Sequence, residues 1–373
     1  MSKKPKIIKS FISISIIISL LLLTGCAFKD IDKRMFVVGI GIDPSEKIEN
    51  GFKVTLKLAK PVGNVKEATE PTYVYLSHDS ESVAEAIRSM ETHIDKVVDF
   101  AHNRIIMINK DLLSKDLDTF MDFFTRRGDI QLISYVAVAE STAEEIITFE
   151  PVAETPASIA LSNYFDNTGT ESPFVITTFL FEFRREVLGK GKDTILPIVE
   201  IDENGTEFVI HKSIILKRNT QPVELNSVET KYFNSLMNKA KGFSYKIKED
   251  GLILILNIDT VKMKYNIILD EGVPPRIDMT ITKFGVIGES NKRLSLKHLK
   301  KYDEISAIEM KKKVMELLTK LQENDVDPFG FGLRYRATRL SYEGMIEEWD
   351  RIYPEIEFNV TLKVDLKSTG AIE

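Results

Sequence analysis

The sequence predicts a multi-domain α+β protein. Its sheets are expected to be mixed or antiparallel and each packed with helices, and the C-terminal domain to be an antiparallel sheet with long helices on one face. Three observations carry this. Ile356, Phe358, Val360, Leu362, Val364 and Leu366 alternate with polar residues, the period of two that a half-buried strand needs. Met310, Val314, Leu317 and Leu321 form one stripe of a long helix. The chain has 373 residues, whereas single cores stop growing at ~250–300 residues.

From the N-terminal side, Met35 to Ile42 is apolar and β-branched and ends in a turn at Asp43-Pro44. Phe52, Val54, Leu56 and Leu58 alternate with Lys53, Thr55 and Lys57, a half-buried strand closed by Pro61. Tyr73 to Leu76 is a short strand. Val83, Ile87, Met90 and Ile94 fall at helical spacing, with Asp79 or Ser80 as the cap. Arg104 to Ile108 reads as a buried strand. Leu113, Leu117, Phe120 and Phe124 mark a second helix, stopped at Gly128. Leu132 to Ala139 is another strand.

Beyond Ser141 the pattern loosens. Glu144 to Phe149 is a short helix, and Pro151 and Pro156 punctuate the chain after it. Phe174 to Leu188 reads as an apolar helix. Gly189, Gly191, Pro197 and the turn Asn204-Gly205 mark a boundary, with Ile195 to Ile201 a strand within it. The expected units are therefore 26–205, divisible into 26–140 and 141–205, and 206–373. The second unit opens with strand Phe208 to Leu216 and helix Glu229 to Ala240. Strand segments Gly251 to Leu256, Val261 to Leu269 and Ile277 to Ile281 come next. The long helix, a helix through Tyr342, Ile346 and Trp349, and the alternating terminal strand close the chain.

The first 25 residues read as a leader rather than as fold. Lys3, Lys4, Lys6 and Lys9 precede an apolar run from Phe11 to Leu23, broken only by serines. The run is short for a membrane span, which needs ~20 residues, and suits a signal-peptide core. Leu23-Thr24-Gly25 then places small residues before Cys26, as a lipoprotein signal peptidase requires. Cys26 is the single cysteine in the chain. It is the expected lipidation site, carrying an S-diacylglycerol and an N-acyl (palmitate-type) chain, and the mature body carries no disulfide and no thiolate metal site. Each buried methylene contributes ~0.8 kcal/mol, so two chains hold where one would not. The expected location is the outer face of a membrane, through the lipid.

The whole chain has a formal charge of −6, and loss of the four leader lysines takes the body to about −10. So acidic a body is a poor nucleic-acid binder, and its net charge opposes anionic lipid headgroups.

Chemistry-bearing motifs are absent. Gly39-Ile40-Gly41 lacks a third glycine and a following helix, so it reads as tight strand packing or a bulge rather than a dinucleotide loop. Phe329-Gly330-Phe331-Gly332 reads as a turn with buried phenylalanines. His78, His93, His102, His211 and His298 show no metal-ligand spacing; His102, just before a buried strand, reads as a structural histidine. No G-x-S-x-G elbow occurs and no carboxylate pair stands out. Arg126-Arg127 and Lys311-Lys312-Lys313 read as solvated faces. No catalytic residue, metal ligand or cofactor is assigned, and no enzyme is expected.

Taken together, these residues resemble the Ger(x)C family, the lipoprotein C-subunits of spore nutrient germinant receptors. Thr24-Gly25-Cys26 followed by Gly39-Ile40-Gly41-Ile42-Asp43 is similar to the family's opening. His102 to Ile108, a helix and Arg126-Arg127-Gly128-Asp129 match a second block. Thr194-Ile195-Leu196-Pro197 is a third. Asp327-Pro328-Phe329-Gly330-Phe331-Gly332, then Trp349, Pro354 and the terminal strand to Thr369-Gly370, make a fourth. Cys26-Ala27-Phe28 departs from relatives that place an aromatic and an aspartate after the cysteine.

The resemblance implies several α/β domains of unusual topology. It implies a non-enzymatic subunit in the spore inner membrane, formed at sporulation, acting in spore germination with two polytopic membrane subunits that sense small nutrients. The reading from another class is a solute-binding lipoprotein serving a transporter, which needs two lobes about a hinge and a polar cleft. A lipid-anchored cell-wall enzyme would need a carboxylate pair in a groove.

Overall fold

The computed structural model describes residues 33–60, 73–114, 123–124, 126–152, 160–168, 172–237, 242–270, 272–340 and 342–368. The leader, Cys26 and most of the helix expected through Leu117 and Phe120 lie outside the described residues, as do Pro61, Pro156 and Thr369-Gly370. The chain is α+β, built on two sheets.

The first sheet has nine strands in the order β3-β2-β1-β5-β6-β7-β8-β9, with β4 paired to β1. They are β1 (Arg34–Pro44), β2 (Phe52–Ala59), β3 (Tyr73–Ser80), β4 (Val97–Asp99), β5 (Ile105–Asn109), β6 (Tyr135–Ala139), β7 (Thr194–Ile201), β8 (Phe208–Leu216) and β9 (Val223–Leu225). Its centre, β1-β5-β6-β7, is parallel, and both flanks are antiparallel. Central parallel strands are covered on both faces and read as continuous apolar runs; β5 and β6 are buried throughout.

Burial of this kind corrects the half-buried reading of β2. Thr55 and Lys57, expected on a wet face, are 0% and 7% exposed. The covering element is helix α2 (Ala143–Thr148), which follows α1 (Val83–Glu91) among the described helices. The paired glycines of β1 let α2 approach: a Cβ on Gly41 would stand 3.1 Å from the Ala143 carbonyl oxygen. The strand register also shifts between Val37 and Gly39. Tight packing and a bulge are therefore both present. Next to them, the Asp43 carboxylate accepts the N–H groups of Ala143 at 2.6 Å and Glu144 at 2.9 Å, together with the Asn109 amide at 2.7 Å.

Other local readings need correction. The cap of α1 is Ser82, which accepts the Glu85 N–H, because β3 runs on to Ser80; Asp79 instead pairs with Lys47. The Phe174–Leu188 helix shrinks to α4 (Leu180–Leu188), after the short α3 (Ala160–Asn163). The preceding residues are held extended on the sheet: Val136 donates to the Thr178 carbonyl and the Thr178 hydroxyl to the Ile195 carbonyl.

The second sheet runs β10-β11-β12-β13, with β10 (Phe243–Glu249), β11 (Leu252–Ile268), β12 (Arg276–Ser290) and β13 (Glu357–Leu366). The expected antiparallel pairing holds from β10 to β12; β13 joins parallel to β12. The connection explains the difference. Helices α6 (Leu299–Glu323), α7 (Phe331–Ala337) and α8 (Met345–Ile352) carry the chain back before β13 begins, as a parallel crossover demands. Tyr342 lies outside α8 and hydrogen-bonds Glu348 from the loop.

The stripe Met310, Val314, Leu317 and Leu321 of α6 is buried. Helix α5 (Ser227–Leu236) packs beside α6, started by Asn226 and Glu229 in a reciprocal cap. One continuous hydrophobic core contains Ile195, Ile215 and Val223 of the first sheet together with the whole interior of the second.

Candidate functional site: the junction between the sheets

The link between β12's crossover and the first sheet is a set of hydrogen bonds, not apolar contact alone. Asp327 starts α7. Its carboxylate accepts the N–H groups of Gly330, Phe331 and Gly332 at 2.9, 3.1 and 2.8 Å. These are the orphan donors of a helix N-terminus. Asp193, just before β7, reaches the same turn: its carboxylate accepts the Asp327 N–H at 2.6 Å, and its own N–H donates to the Asp327 carbonyl at 3.0 Å.

Four further bonds complete the junction. Leu333 N–H donates to the Gly191 carbonyl at 2.5 Å. Gly191 has φ +90°, and a Cβ there would meet the Leu333 nitrogen at 2.8 Å, so no other residue type fits without strain. The Lys217 ammonium, at the end of β8, binds the Asp325 carboxylate and carbonyl, each at 2.7 Å. Tyr353 donates its hydroxyl to the Val326 carbonyl at 2.9 Å.

Burial sets the electrostatics. It pushes the Asp193 carboxyl up to about 6, against the bond from the Asp327 N–H and the Lys217 charge. It pushes Asp327 upward as well, against its three helix N–H groups, with the Asp193 charge adding to the rise.

A cavity of about 350 Å³ lies over the junction, lined by Lys190, Lys192, Asp193, Lys217, Trp349 and Asp350 among others. Its lysines are engaged: Lys190 with Glu347, Lys192 with Glu186 at 2.6 Å, Lys217 with Asp325. The arrangement fixes one sheet against the other; it brings no nucleophile to a base.

Of the residues singled out in the sequence, Leu23, Thr24, Gly25 and Cys26 lie outside the described residues. His102 stacks on Phe36 with ring centroids 4.7 Å apart. It lines a second cavity, of about 210 Å³, with Lys57 and Arg104. Among the described residues no group of His, Cys, Asp and Glu could hold a metal ion. The Arg126-Arg127 pair is more than a solvated face: the Arg127 guanidinium lies 3.9 Å over the Phe100 ring and pairs with Asp129 at 2.6 Å. Phe329 and Phe331 are buried, as the turn reading expects.

Two features escape the sequence. The Asp193–Asp327 contact joins residues 134 apart; only the helix-cap pattern after Asp327 hints at it. Lys283 is fully buried on β12, with its ammonium 4.0 Å from the Tyr245 ring centroid and 5.0 Å from that of Tyr232. Desolvation lowers its pKa to about 7.

Comparison with known proteins covers nearly the full chain. The profile described as "Spore germination protein N-terminal domain" matches residues 28–201, and "Spore germination B3/ GerAC like, C-terminal" matches 213–370. Spore germination protein KC of Bacillus subtilis (strain 168) is 22% identical over 97% of this chain and 96% of its own length. Spore germination protein B3 of the same organism is 22% identical over 95% and 96%. GerQC of Bacillus cereus is 22% identical over 72% of this chain and 75% of that protein. The crystal structure of the GerBC protein superposes with a TM-score of 0.60 at 17% identity, over 88% of this chain and 97% of that one; at that identity the likeness concerns the fold.

Proposed function

The chain belongs to the Ger(x)C family of spore germination proteins, and from that premise we propose that it is the lipid-anchored, non-enzymatic subunit of a spore nutrient germinant receptor. The observation that carries this reading is one of position. The match to the family begins at residue 28, two residues past Cys26 of Leu23-Thr24-Gly25-Cys26, and Cys26 is the chain's single cysteine. Leader removal before Cys26 and lipid on its thiol would place the family's folded body on the outer face of the spore's inner membrane. Among the described residues no helix is long and apolar enough to cross a membrane.

The subunit acts by docking to two polytopic membrane subunits that sense the nutrient. A junction closed by paired charges and backbone bonds supports a body that presents a fixed surface. It gives less support to the solute-binding reading, which needs lobes that open. All named relatives are spore germination proteins, in keeping with a role without catalysis. We also take 26–205 and 206–373 as the units of the chain; the matched spans 28–201 and 213–370 support a division there, although β8 and β9 of the second unit extend the first unit's sheet.

The test is Cys26→Ala expressed in spores. Loss of the protein from the membrane fraction, with impaired germination in response to nutrient, is the expected result. Normal membrane retention and normal germination would remove the anchoring role.

A further inference from the structure

The charge of the body is segregated along the strand direction. The parallel strands β1, β5, β6 and β7 all begin at one end of the first sheet. That end carries Lys33, Arg34, Lys96, Arg104, Arg126, Arg127, Lys190 and Lys192 against Asp95, Asp99, Asp129, Glu186 and Asp193. The end where the same strands finish carries Glu46, Glu49, Asp111, Glu140, Asp202 and Glu203, with Lys47 and Lys110 among its few cations. Net charge alone sets the body against an anionic surface; its distribution does not.

Exposed apolar side chains gather at the basic end. Val97, Leu132, Ile133 and Phe181 are 61, 46, 58 and 40% exposed. Helix α7 continues this surface, since Leu333 is bonded to Gly191, three residues before β7 starts. From Pro328 to Tyr342 the chain holds Arg334, Arg336 and Arg339 and no acidic residue, with Leu340 92% exposed; Glu343, Glu347 and Glu348 follow, Glu348 taken up by the Tyr335 and Tyr342 hydroxyls. Arginines interleaved with exposed leucines fit an interface of charged headgroups over hydrocarbon.

The tether chooses the same end. Cys26 lies seven residues before Lys33, where the described chain begins on its way into β1, and seven residues span at most ~25 Å.

We propose that this end, formed by residues 95–104 and 126–134 together with α7 and residues 338–340, lies against an anionic phospholipid bilayer. The proposal rests on the lipid-anchor reading of Cys26. Contact is electrostatic, each basic residue near the anionic surface adding to it. It leaves the acidic end facing away from the membrane.

The test uses the full-length lipidated chain in vesicles of mixed neutral and anionic phospholipid. With Cys26 blocked by its lipid, an introduced cysteine is the one reactive thiol. A fluorophore is placed at Ile133→Cys or at Leu340→Cys, both exposed positions, and at Glu203→Cys on the acidic end. Quenching by lipids bearing a headgroup nitroxide should be at least about threefold stronger at 133 and 340 than at 203, and should weaken in high salt as charges are screened. Equal quenching at all three positions, or quenching confined to 203, overturns the proposal. So does shielding of 133 and 340 that arises only when membrane subunits are added, which would make the face a protein interface. A chain that fails to float with the vesicles sinks the anchor reading as well. A chain that floats but stays unquenched sinks the face alone.

Discussion

Asp193 and Asp327 are bonded to each other twice, once through a carboxylate and once through the backbone, and the two bonds join the first sheet to the crossover of the second. Asp327 meets Asp193 through its backbone N–H and carbonyl while its side chain caps α7, so one residue serves both a helix start and an inter-sheet contact.

Replacing the Asp327 side chain tests the cap and leaves the backbone bonds to Asp193 in place. Asp327→Ala leaves three N–H groups in a buried turn without their acceptor. An unsatisfied buried donor costs roughly 1–3 kcal/mol, so the variant should lose about 3 kcal/mol or more in chemical denaturation. Asp327→Asn, which keeps one acceptor oxygen, should fall between. A loss under about 0.5 kcal/mol for the alanine variant would show that the cap contributes nothing.

Asp193 gives a pH signature. Its carboxyl titrates near 6 in the folded protein because burial disfavours the anion. The folded state then holds the proton more tightly than the unfolded chain. Stability contributed by this group is therefore present at low pH and declines as pH rises from about 4 to about 6, by on the order of 2 kcal/mol. Asp193→Asn should flatten that part of the stability profile. An unchanged slope in the variant would assign the pH dependence elsewhere.

Lys283 is expected to weaken the fold rather than strengthen it. It is fully buried, its ammonium has no hydrogen-bond partner among the described residues, the Tyr245 and Tyr232 rings stand against it, and the Lys231 charge repels it. A folded-state pKa near 7 lies below the unfolded value, so the folded protein gains stability as pH rises from about 7 towards 10. Lys283→Met keeps the volume and removes the buried amine. It should stabilise the protein by about 2 kcal/mol at neutral pH and abolish the alkaline rise. Destabilisation by Lys283→Met would show that the amine has a partner in use.

Period and punctuation made much of this fold legible. The terminal strand, the α6 stripe and the short α2 helix can be read directly from apolar spacing, because each buries one face against a neighbour. The features the sequence hid are consequences of distant packing. Thr55 and Lys57 look like a solvated face until α2, some 90 residues later, covers them. The parallel entry of β13 depends on three intervening helices, which no local pattern can reveal. The Phe174–Leu188 run keeps apolar residues along both halves, with its charges confined to the second, so apolar spacing alone could not show that the first half lies on the sheet while the second coils. At the candidate site, the cap after Asp327 has a local signal, whereas Asp193 has none: one aspartate after Gly191-Lys192 looks like any loop residue until the fold brings residue 327 to it.

The central claim is that lipid on Cys26 holds this body at the membrane. Mass spectrometry of the mature protein's N-terminus tests it most directly. The account predicts that Cys26 is the first residue, carrying diacylglycerol on sulfur and an acyl chain on nitrogen. An intact leader, or a free Cys26 thiol, would contradict it.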